Sequence, residues 1–161
     1  AFFLSVFMSM FSDMLLRAST TVIAFIILIS IIAIGIVFDM LGVAVTVADE
    51  KPFNSMASSK IKGAKSSLML IKNAGRVSNV FNDVIGDICG IISGTSAAFI
   101  VSQIGGSVEF IDAAVFSIIL SGLVAAGTIG GKAMGKDIAI GRSKEIVTIA
   151  GKIISVFTER K

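Results

Sequence analysis

Three long uncharged apolar stretches alternate with charged segments along the chain. They cover residues 20–38, 88–108 and 113–131, of which the first is the most apolar and the second is rich in Gly and Ser. A helix needs about 18 or more such residues to cross the ~30 Å hydrocarbon core of a bilayer. The pattern therefore predicts three core transmembrane helices.

A fourth apolar run lies at the start of the chain. It covers residues 1–12 and is too short to span a bilayer alone. Because residue 1 is Ala, we expect the numbering to begin inside a longer hydrophobic segment, either a further span or part of a signal sequence. We therefore predict an additional N-terminal hydrophobic helix over residues 1–19.

The basic residues fall into two clusters, which predict the orientation. Of fourteen Lys and Arg residues, six lie between residues 51 and 76 and seven between residues 132 and 161. The positive-inside rule places both clusters in the cytoplasm. The turn between the second and third spans carries Glu109 and Asp112 and no basic residue, so we expect it on the outer side.

The segment between the first two spans has the pattern of an amphipathic helix. Apolar residues recur there at helical spacing among lysines, at Ile61, Ala64, Leu68 and Ile71. This predicts a basic connector, residues 49–78, with one helix between residues 54 and 72 that lies near the lipid surface. A soluble connector is the alternative.

The last segment also has an amphipathic pattern. Its apolar stripe consists of Ile146, Ile149, Ile153, Val156 and Phe157. We expect residues 132–161 to form a cytoplasmic juxtamembrane helix that follows a transmembrane domain over residues 20–131. The predicted fold class is therefore an all-α integral membrane protein.

Composition supports this class and excludes several kinds of chemistry. The chain is 55% apolar and 16% charged, with a mean hydropathy of +0.96, no His and a single Cys, Cys89. Disulfide frameworks, zinc sites and Cys/His or Ser/His catalysis therefore lack their parts. Residues 130–136 match the spacing of a phosphate-binding loop, but Asp137 replaces its Ser or Thr. We expect no enzymatic activity, no covalently bound cofactor and no nucleic-acid binding.

Ionisable residues within spans are costly and therefore functional candidates. Asp39 follows the most apolar stretch and precedes nine more uncharged residues, so it lies either within the bilayer or at its interface. Asp83 and Asp87 are four residues apart and would share one helix face, where two carboxylates repel unless a cation or proton lies between them. The alternative is that Asp83 caps a helix while Asp87 lies at headgroup depth.

Hydroxyl groups in the second and third spans complete the candidate set. The hydroxyls that could supply neutral oxygen ligands to a hard cation such as Mg²⁺ are those of Ser93, Thr95, Ser96, Ser102, Ser121 and Thr128. The alternative is hydrogen bonding between closely packed helices. The predicted metal ligands are Asp39, Asp83, Asp87, Ser93 and Thr128.

With this order of elements, residues 38–157 resemble the transmembrane domain of the CorB/CorC and cyclin M (CNNM) magnesium transporters. The connector KGAKSSLMLIKNAGR, residues 62–76, resembles the family's Ala-Lys, spaced leucines and Asn-Pro-x-Arg, with Ala74 at the proline. AVTVA, residues 44–48, is similar to its Ala-Leu-Thr-Ser-Ala run. Residues 127–157 resemble its Gly-Glu-x-x-Pro-Lys motif and the helix that follows.

The resemblance implies a homodimer that binds dehydrated Mg²⁺ through a first-span serine, two second-span asparagines and a third-span glutamate. In this chain Thr128 stands at the glutamate and Gly131 at the proline, whereas Lys132 is retained. Gly86 and Asp87 stand at the family's Gly-Asn segment. The first-span Ser-Glu-Thr stretch corresponds to residues 41–43, with Asp39 nearby.

The expected function is that of a divalent-cation transporter or channel for Mg²⁺, Co²⁺ or a similar ion. The alternative is a membrane scaffold or regulatory subunit that keeps the fold and has lost the ion site. The expected partners are the lipid bilayer, a second copy of the chain and a separate regulatory chain. We expect the protein in the cytoplasmic membrane of a bacterium or archaeon, with its C-terminus in the cytoplasm.

Overall fold

A computed structural model describes residues 2–17, 19–104 and 113–158, and all regular secondary structure in these ranges is helical. The elements are α1 (Phe2–Arg17), α2 (Thr21–Val47), α3 (Glu50–Ser58), α4 (Ala64–Lys72), α5 (Ala74–Asn79), a π-helical turn (Val80–Ile85), α6 (Gly86–Ile104), α7 (Ala113–Gly141) and α8 (Ser143–Thr158). The predicted all-helical class is confirmed for this part of the chain. The predicted turn with Glu109 and Asp112 lies outside the described residues.

Three helices are long and apolar enough to cross a membrane. They are Thr21–Val47, Ala74–Ile104 and Ala114–Gly141, and the second joins α5, the π-helical turn and α6 without a break. Only 17%, 28% and 6% of their most apolar windows is buried. Apolar surface that the protein does not cover suits lipid, because acyl chains are as apolar as the side chains. The prediction of three such helices is confirmed.

Each of these helices extends beyond the uncharged stretch that predicted it. The first continues past Phe38 to Val47, the second begins at Ala74 instead of Ile88, and the third continues past Gly131 to Gly141. Hydropathy detects where charge is absent, whereas a helix ends where its backbone hydrogen bonding stops. Isolated charged residues do not interrupt that bonding, so Asp39 and Lys132 lie inside long helices.

The connector forms two helices, so the prediction of one helix between residues 54 and 72 is wrong. Asp49 begins α3 by accepting a hydrogen bond from the Lys51 backbone N–H at 3.1 Å. The chain then leaves the helical conformation at Lys60 (φ 54°) and Gly63 (φ 84°) before α4 starts. Two residues with positive φ cannot continue a right-handed helix.

One compact unit consists of residues 37–84 and the C-terminal residues from Lys132 onward. Here α4 packs on α3 and on α8. The core of the unit combines side chains from α2, α3, α4, α7 and α8, namely Ala44, Val45, Phe53, Leu70, Ile71, Ala139 and Val147. Because the inner face of α4 is buried in this core, it is unavailable for the lipid contact that the amphipathic pattern predicts.

The helix α8 packs through only part of the predicted apolar stripe, since Ile146 contacts the core of the unit. Val147, Gly151 and Ser155 are buried, whereas Ile149 and Ile153 are more than half exposed. A Cβ at Gly151 would collide with Ser67 Oγ of α4, so the two backbones approach closely. Ser67 Oγ also donates a hydrogen bond to the Val147 carbonyl at 3.0 Å. Close approach selects small residues, which periodicity of large residues does not reveal.

The other compact unit consists of the residues up to Ile36 and residues 85–131. The N-terminal helix α1 packs on α6, where the Ser12 and Thr95 hydroxyls form a hydrogen bond of 2.7 Å. Its core contains Leu16, Ala24, Leu28, Ala97, Ile100 and Leu120. The N-terminal apolar run is therefore part of a packed helical unit.

Candidate functional site

Asp39 is the single charged residue of α2 and is almost completely buried. The helix is built from β-branched and other apolar residues, and Asp39 is 6% exposed within it. Burial of a carboxylate is costly unless a cation or hydrogen-bond donors compensate its charge. The structure therefore places Asp39 inside an apolar helix of membrane-spanning length, eight residues before its end at Val47. Whether it lies within the bilayer or at its interface stays a prediction.

Lys132 of α7 supplies part of that compensation. Its Nζ lies 3.8 Å from Asp39 Oδ1, and its side chain is 32% exposed. Charge-assisted N–H···O bonds are normally about 2.7–2.9 Å long, so this contact is an ion pair without a short hydrogen bond. The second carboxylate oxygen, Oδ2, is buried and has no hydrogen-bond partner. The carboxylate therefore retains capacity to accept a ligand or a proton.

Asn82 brings a second unpartnered oxygen to the same compact unit. It lies in the π-helical turn, its Nδ2 donates to Ser78 Oγ at 3.2 Å, and its Oδ1 is buried without a partner. A Cβ on Gly42 would lie 2.6 Å from this oxygen. Gly42 follows Asp39 by about one helical turn of α2, so Asn82 packs against the turn of α2 that comes after Asp39.

The π-helical turn also packs against α2 through aromatic residues. The rings of Phe38 and Phe81 meet edge to face with their centroids 5.3 Å apart. Short π-helical insertions in long helices occur frequently at functional sites because they change the direction of side chains. Asn82 was not among the ligands predicted from the sequence. Its position directly before Asp83 was the available signal, but its burial depends on the tertiary structure.

Asp83 and Asp87 are both exposed in the structure. Asp83 lies in the π-helical turn and Asp87 in the first turn of α6, within one continuous helix from Ala74 to Ile104. Asp83 therefore does not cap a helix. The protein does not enclose either carboxylate, so neither is a buried charge of the kind found at Asp39.

The two predicted hydroxyl ligands differ in their surroundings. Ser93 is buried and its Oγ donates a hydrogen bond to the Cys89 carbonyl of its own helix at 2.7 Å. Thr128 is partly buried on α7. Back-bonding of Ser93 to its own helix uses its hydroxyl hydrogen but leaves oxygen lone pairs that could still accept.

The predicted ligands are divided between the two compact units. Asp39 and Asp83 belong to one, and Asp87, Ser93 and Thr128 belong to the other. Among residues 2–17, 19–104 and 113–158, no three His, Cys, Asp or Glu side chains form a group that could hold a metal ion. The set of five ligands stays a prediction. The structure adds an ion pair between Asp39 and Lys132, which lies in the same compact unit as Asn82.

The segment that matches the spacing of a phosphate-binding loop is helical. Residues 130–136 lie within α7, which continues from Ala113 to Gly141. A phosphate-binding loop wraps the phosphates with non-helical backbone ahead of its helix. Gly131 instead packs so closely on α2 that a Cβ there would collide with Ile36 Cδ1.

Comparison with known proteins does not assign a family. The chain has no significant match to a protein-family model, to a curated protein or to a solved structure. The resemblance to the CorB/CorC and CNNM transporters therefore stays a prediction from the motifs in the sequence.

Proposed function

We propose that the chain is an integral membrane protein that binds and moves a hard cation such as Mg²⁺, with Asp39 as its principal ligand. The observation that carries the proposal is the buried, unpartnered Oδ2 of Asp39 within a helix of membrane-spanning length. An ionisable residue is expensive in such a position and is retained where it serves transport, proton transfer or ligand binding. The resemblance to the magnesium transporters supports the same class of function.

The chemistry of the neighbouring groups supports a hard cation. Asp39 and Asn82 offer a carboxylate and a carboxamide oxygen, both of which are ligands for Mg²⁺, Ca²⁺ and Mn²⁺. Mg²⁺ commonly keeps several waters and takes only one or two carboxylates from the protein. A site with few protein ligands is therefore compatible with Mg²⁺, and His or Cys ligands are not required.

Lys132 gives this site a neutral state in the absence of the cation. Its positive charge compensates the carboxylate of Asp39. About a third of its side chain is exposed, so the ammonium is not enclosed by the protein and can move away from the carboxylate. An incoming divalent cation would displace the ammonium because both compete for the same carboxylate. Lys132 thus competes with the cation for Asp39 and neutralises the carboxylate when no cation is bound.

Flux measurements in proteoliposomes test the proposal. Asp39→Asn removes the charge and preserves the shape of the side chain. It should reduce Mg²⁺ flux by about tenfold or more, as loss of a metal ligand or its support commonly does. The control is Asp137→Asn, which removes an exposed carboxylate from α7 and should leave the flux unchanged. Equal flux for wild type and Asp39→Asn would contradict the proposal.

The second candidate is a membrane scaffold or regulatory subunit without transport. It is favoured by the Asp39–Lys132 pair, since the pair neutralises itself, and by Thr128 at the family's glutamate position. In this case the purified protein would give no Mg²⁺ or Co²⁺ flux above empty liposomes. Simultaneous replacement of Asp39 and Lys132 by apolar residues would then preserve the folded protein, because buried ion pairs can be exchanged for apolar pairs.

The proposed partners follow from the same reasoning. The lipid bilayer would contact the apolar surface of the three long helices, and the resemblance implies a second copy of the chain. The apolar window of Ala114–Gly141 is 6% buried, which leaves surface for a second copy. A separate regulatory chain remains part of the proposal through the resemblance alone.

A further inference from the structure

A basic cavity lies between the end of α3 and the start of α4. Its volume is about 260 Å³, and its polar lining consists of Lys60, Lys62, Lys65 and Ser66. All of these residues belong to one compact unit. None of them is part of the proposed cation site, so this inference is independent of the proposed function.

The three lysines have no anionic partner in the part of the chain that the structure describes. No ion pair joins Lys60, Lys62 or Lys65 to an acidic side chain in residues 2–17, 19–104 and 113–158. The acidic residues of this region, Asp49 and Glu50, lie at the opposite end of α3, and Asp49 caps that helix. Three like charges around one cavity repel each other and raise the local concentration of anions.

The backbone holds this cavity in a defined shape. Gly63 has a φ of 84°, and a Cβ there would lie 2.7 Å from the backbone nitrogen of Lys152 in α8. The backbone at Gly63, between Lys62 and Lys65, therefore packs directly on the backbone of α8. This contact restricts the movement of the backbone beside the cavity. Lys60 adds a second residue with positive φ. The backbone around the cavity is therefore ordered before a ligand binds, and only the exposed lysine side chains have to be immobilised.

The helix that starts at the cavity adds hydrogen-bond donors. No side chain caps the N-terminus of α4, whose first residues are Ala64, Lys65 and Ser66. The Ala64 N–H already donates to the Ile61 carbonyl at 3.1 Å. The Lys65 and Ser66 N–H groups and the positive end of the helix dipole therefore remain to favour a negative charge beside this first turn. Ser66 contributes a hydroxyl to the cavity lining, which can donate to an anionic oxygen.

We propose that this cavity binds a phosphate-bearing anion through Lys60, Lys62, Lys65 and Ser66. A phosphate group combines negative charge with more than one acceptor oxygen, which suits several lysines and a hydroxyl around one cavity. The same chemistry is present in an anionic phospholipid headgroup and in free phosphate. The experiment below uses both as separate probes.

The test measures binding to the purified full chain in a non-ionic detergent by native mass spectrometry. One arm titrates phosphatidylglycerol, and the other titrates inorganic phosphate at constant ionic strength. The triple variant Lys60→Gln, Lys62→Gln, Lys65→Gln should weaken binding by about tenfold or more, because it removes every charge-assisted contact. Binding of phosphatidylglycerol alone would identify a lipid headgroup, whereas binding of inorganic phosphate would identify a free anion.

A matched control removes the same charge elsewhere. Lys51→Gln, Lys72→Gln, Lys144→Gln replaces three exposed lysines outside the cavity and should keep the affinity within about twofold of wild type, since distant exposed charges are screened. Replacement of the three cavity lysines by Arg preserves the charge and should preserve binding. Circular dichroism confirms that each variant is folded. The proposal is overturned if both triple Gln variants bind equally, or if wild type binds neither probe.

Discussion

At the scale of single residues, Asp39 of α2 and Lys132 of α7 form an ion pair within two helices of membrane-spanning length. Asp39 is buried deeply enough that removal of its counter-ion would leave a carboxylate with no partner on either oxygen. Lys132 is partly exposed, so its own charge needs less compensation. The two members of the pair are thus unequal, and their replacement should have unequal consequences.

Lys132→Gln should lower the free energy of unfolding by about 1–2 kcal/mol. This is below the value for a fully buried pair because Lys132 is partly exposed and the contact is long. Reversible unfolding in mixed detergent micelles measures the change. Under the proposed function, Mg²⁺ should stabilise Lys132→Gln more than wild type, since the competing ammonium is gone.

The double variant Asp39→Asn, Lys132→Gln serves as the control for this prediction. It removes both charges and should recover part of the lost stability, because no uncompensated carboxylate remains. If Lys132→Gln were as stable as wild type without added cation, the ion pair would not support the buried carboxylate.

At the scale of the elements, the packing of α4 on α8 depends on small residues. Gly151 and Ser67 meet where a larger side chain would separate the helices, and the Ser67 hydroxyl bonds to the backbone of Val147. The exposed stripe with Ile149 and Ile153 takes no part in this contact. The apolar stripe of α8 and the face through which α8 packs therefore coincide only in part.

Gly151→Ala should destabilise the protein by about 2 kcal/mol, because a methyl group placed in this closely packed contact forces the helices apart. The unfolding free energy of the purified protein measures the effect. Gly141→Ala is the matched control, since a Cβ at Gly141 has no atom within 4 Å. A stable Gly151→Ala variant would show that the α4–α8 distance adjusts without cost.

At the scale of the whole molecule, three helices of membrane-spanning length set the expected topology. Two of them, Ala74–Ile104 and Ala114–Gly141, separate the helices α3 and α4 from α8. An even number of crossings returns the chain to the same side of the membrane. The basic residues in both segments agree with a cytoplasmic position for each.

Labelling of single cysteines tests this topology. In a Cys89→Ala background, Ser58→Cys in the connector and Lys144→Cys in α8 replace exposed residues. A membrane-impermeant maleimide should label both in inverted membrane vesicles and neither in intact cells, whereas permeabilised cells should give labelling of both. Labelling of the two positions from opposite sides would rule out two crossings between them.

The all-helical class and the number of long apolar helices could be predicted from the amino-acid pattern alone. Hydropathy and charge are properties summed along the chain, so three uncharged stretches were sufficient to predict three helices. The two-helix connector could have been anticipated only in part: Gly63 tolerates positive φ, but Lys60 adopts it through its context. Helix ends were also missed, because single charges interrupt a hydropathy window without interrupting backbone hydrogen bonds.

Which polar groups are unsatisfied and which helix faces are covered depends on contacts between residues far apart in the chain. Asp39 could be read from the sequence as a candidate, but its pairing with Lys132 joins residues far apart in the chain. The burial of Asn82 beside Gly42 and the packing of α8 through Gly151 have the same non-local origin. Partner choice depends on distances between helices, and those distances are set by close packing of side chains that a one-dimensional pattern does not contain.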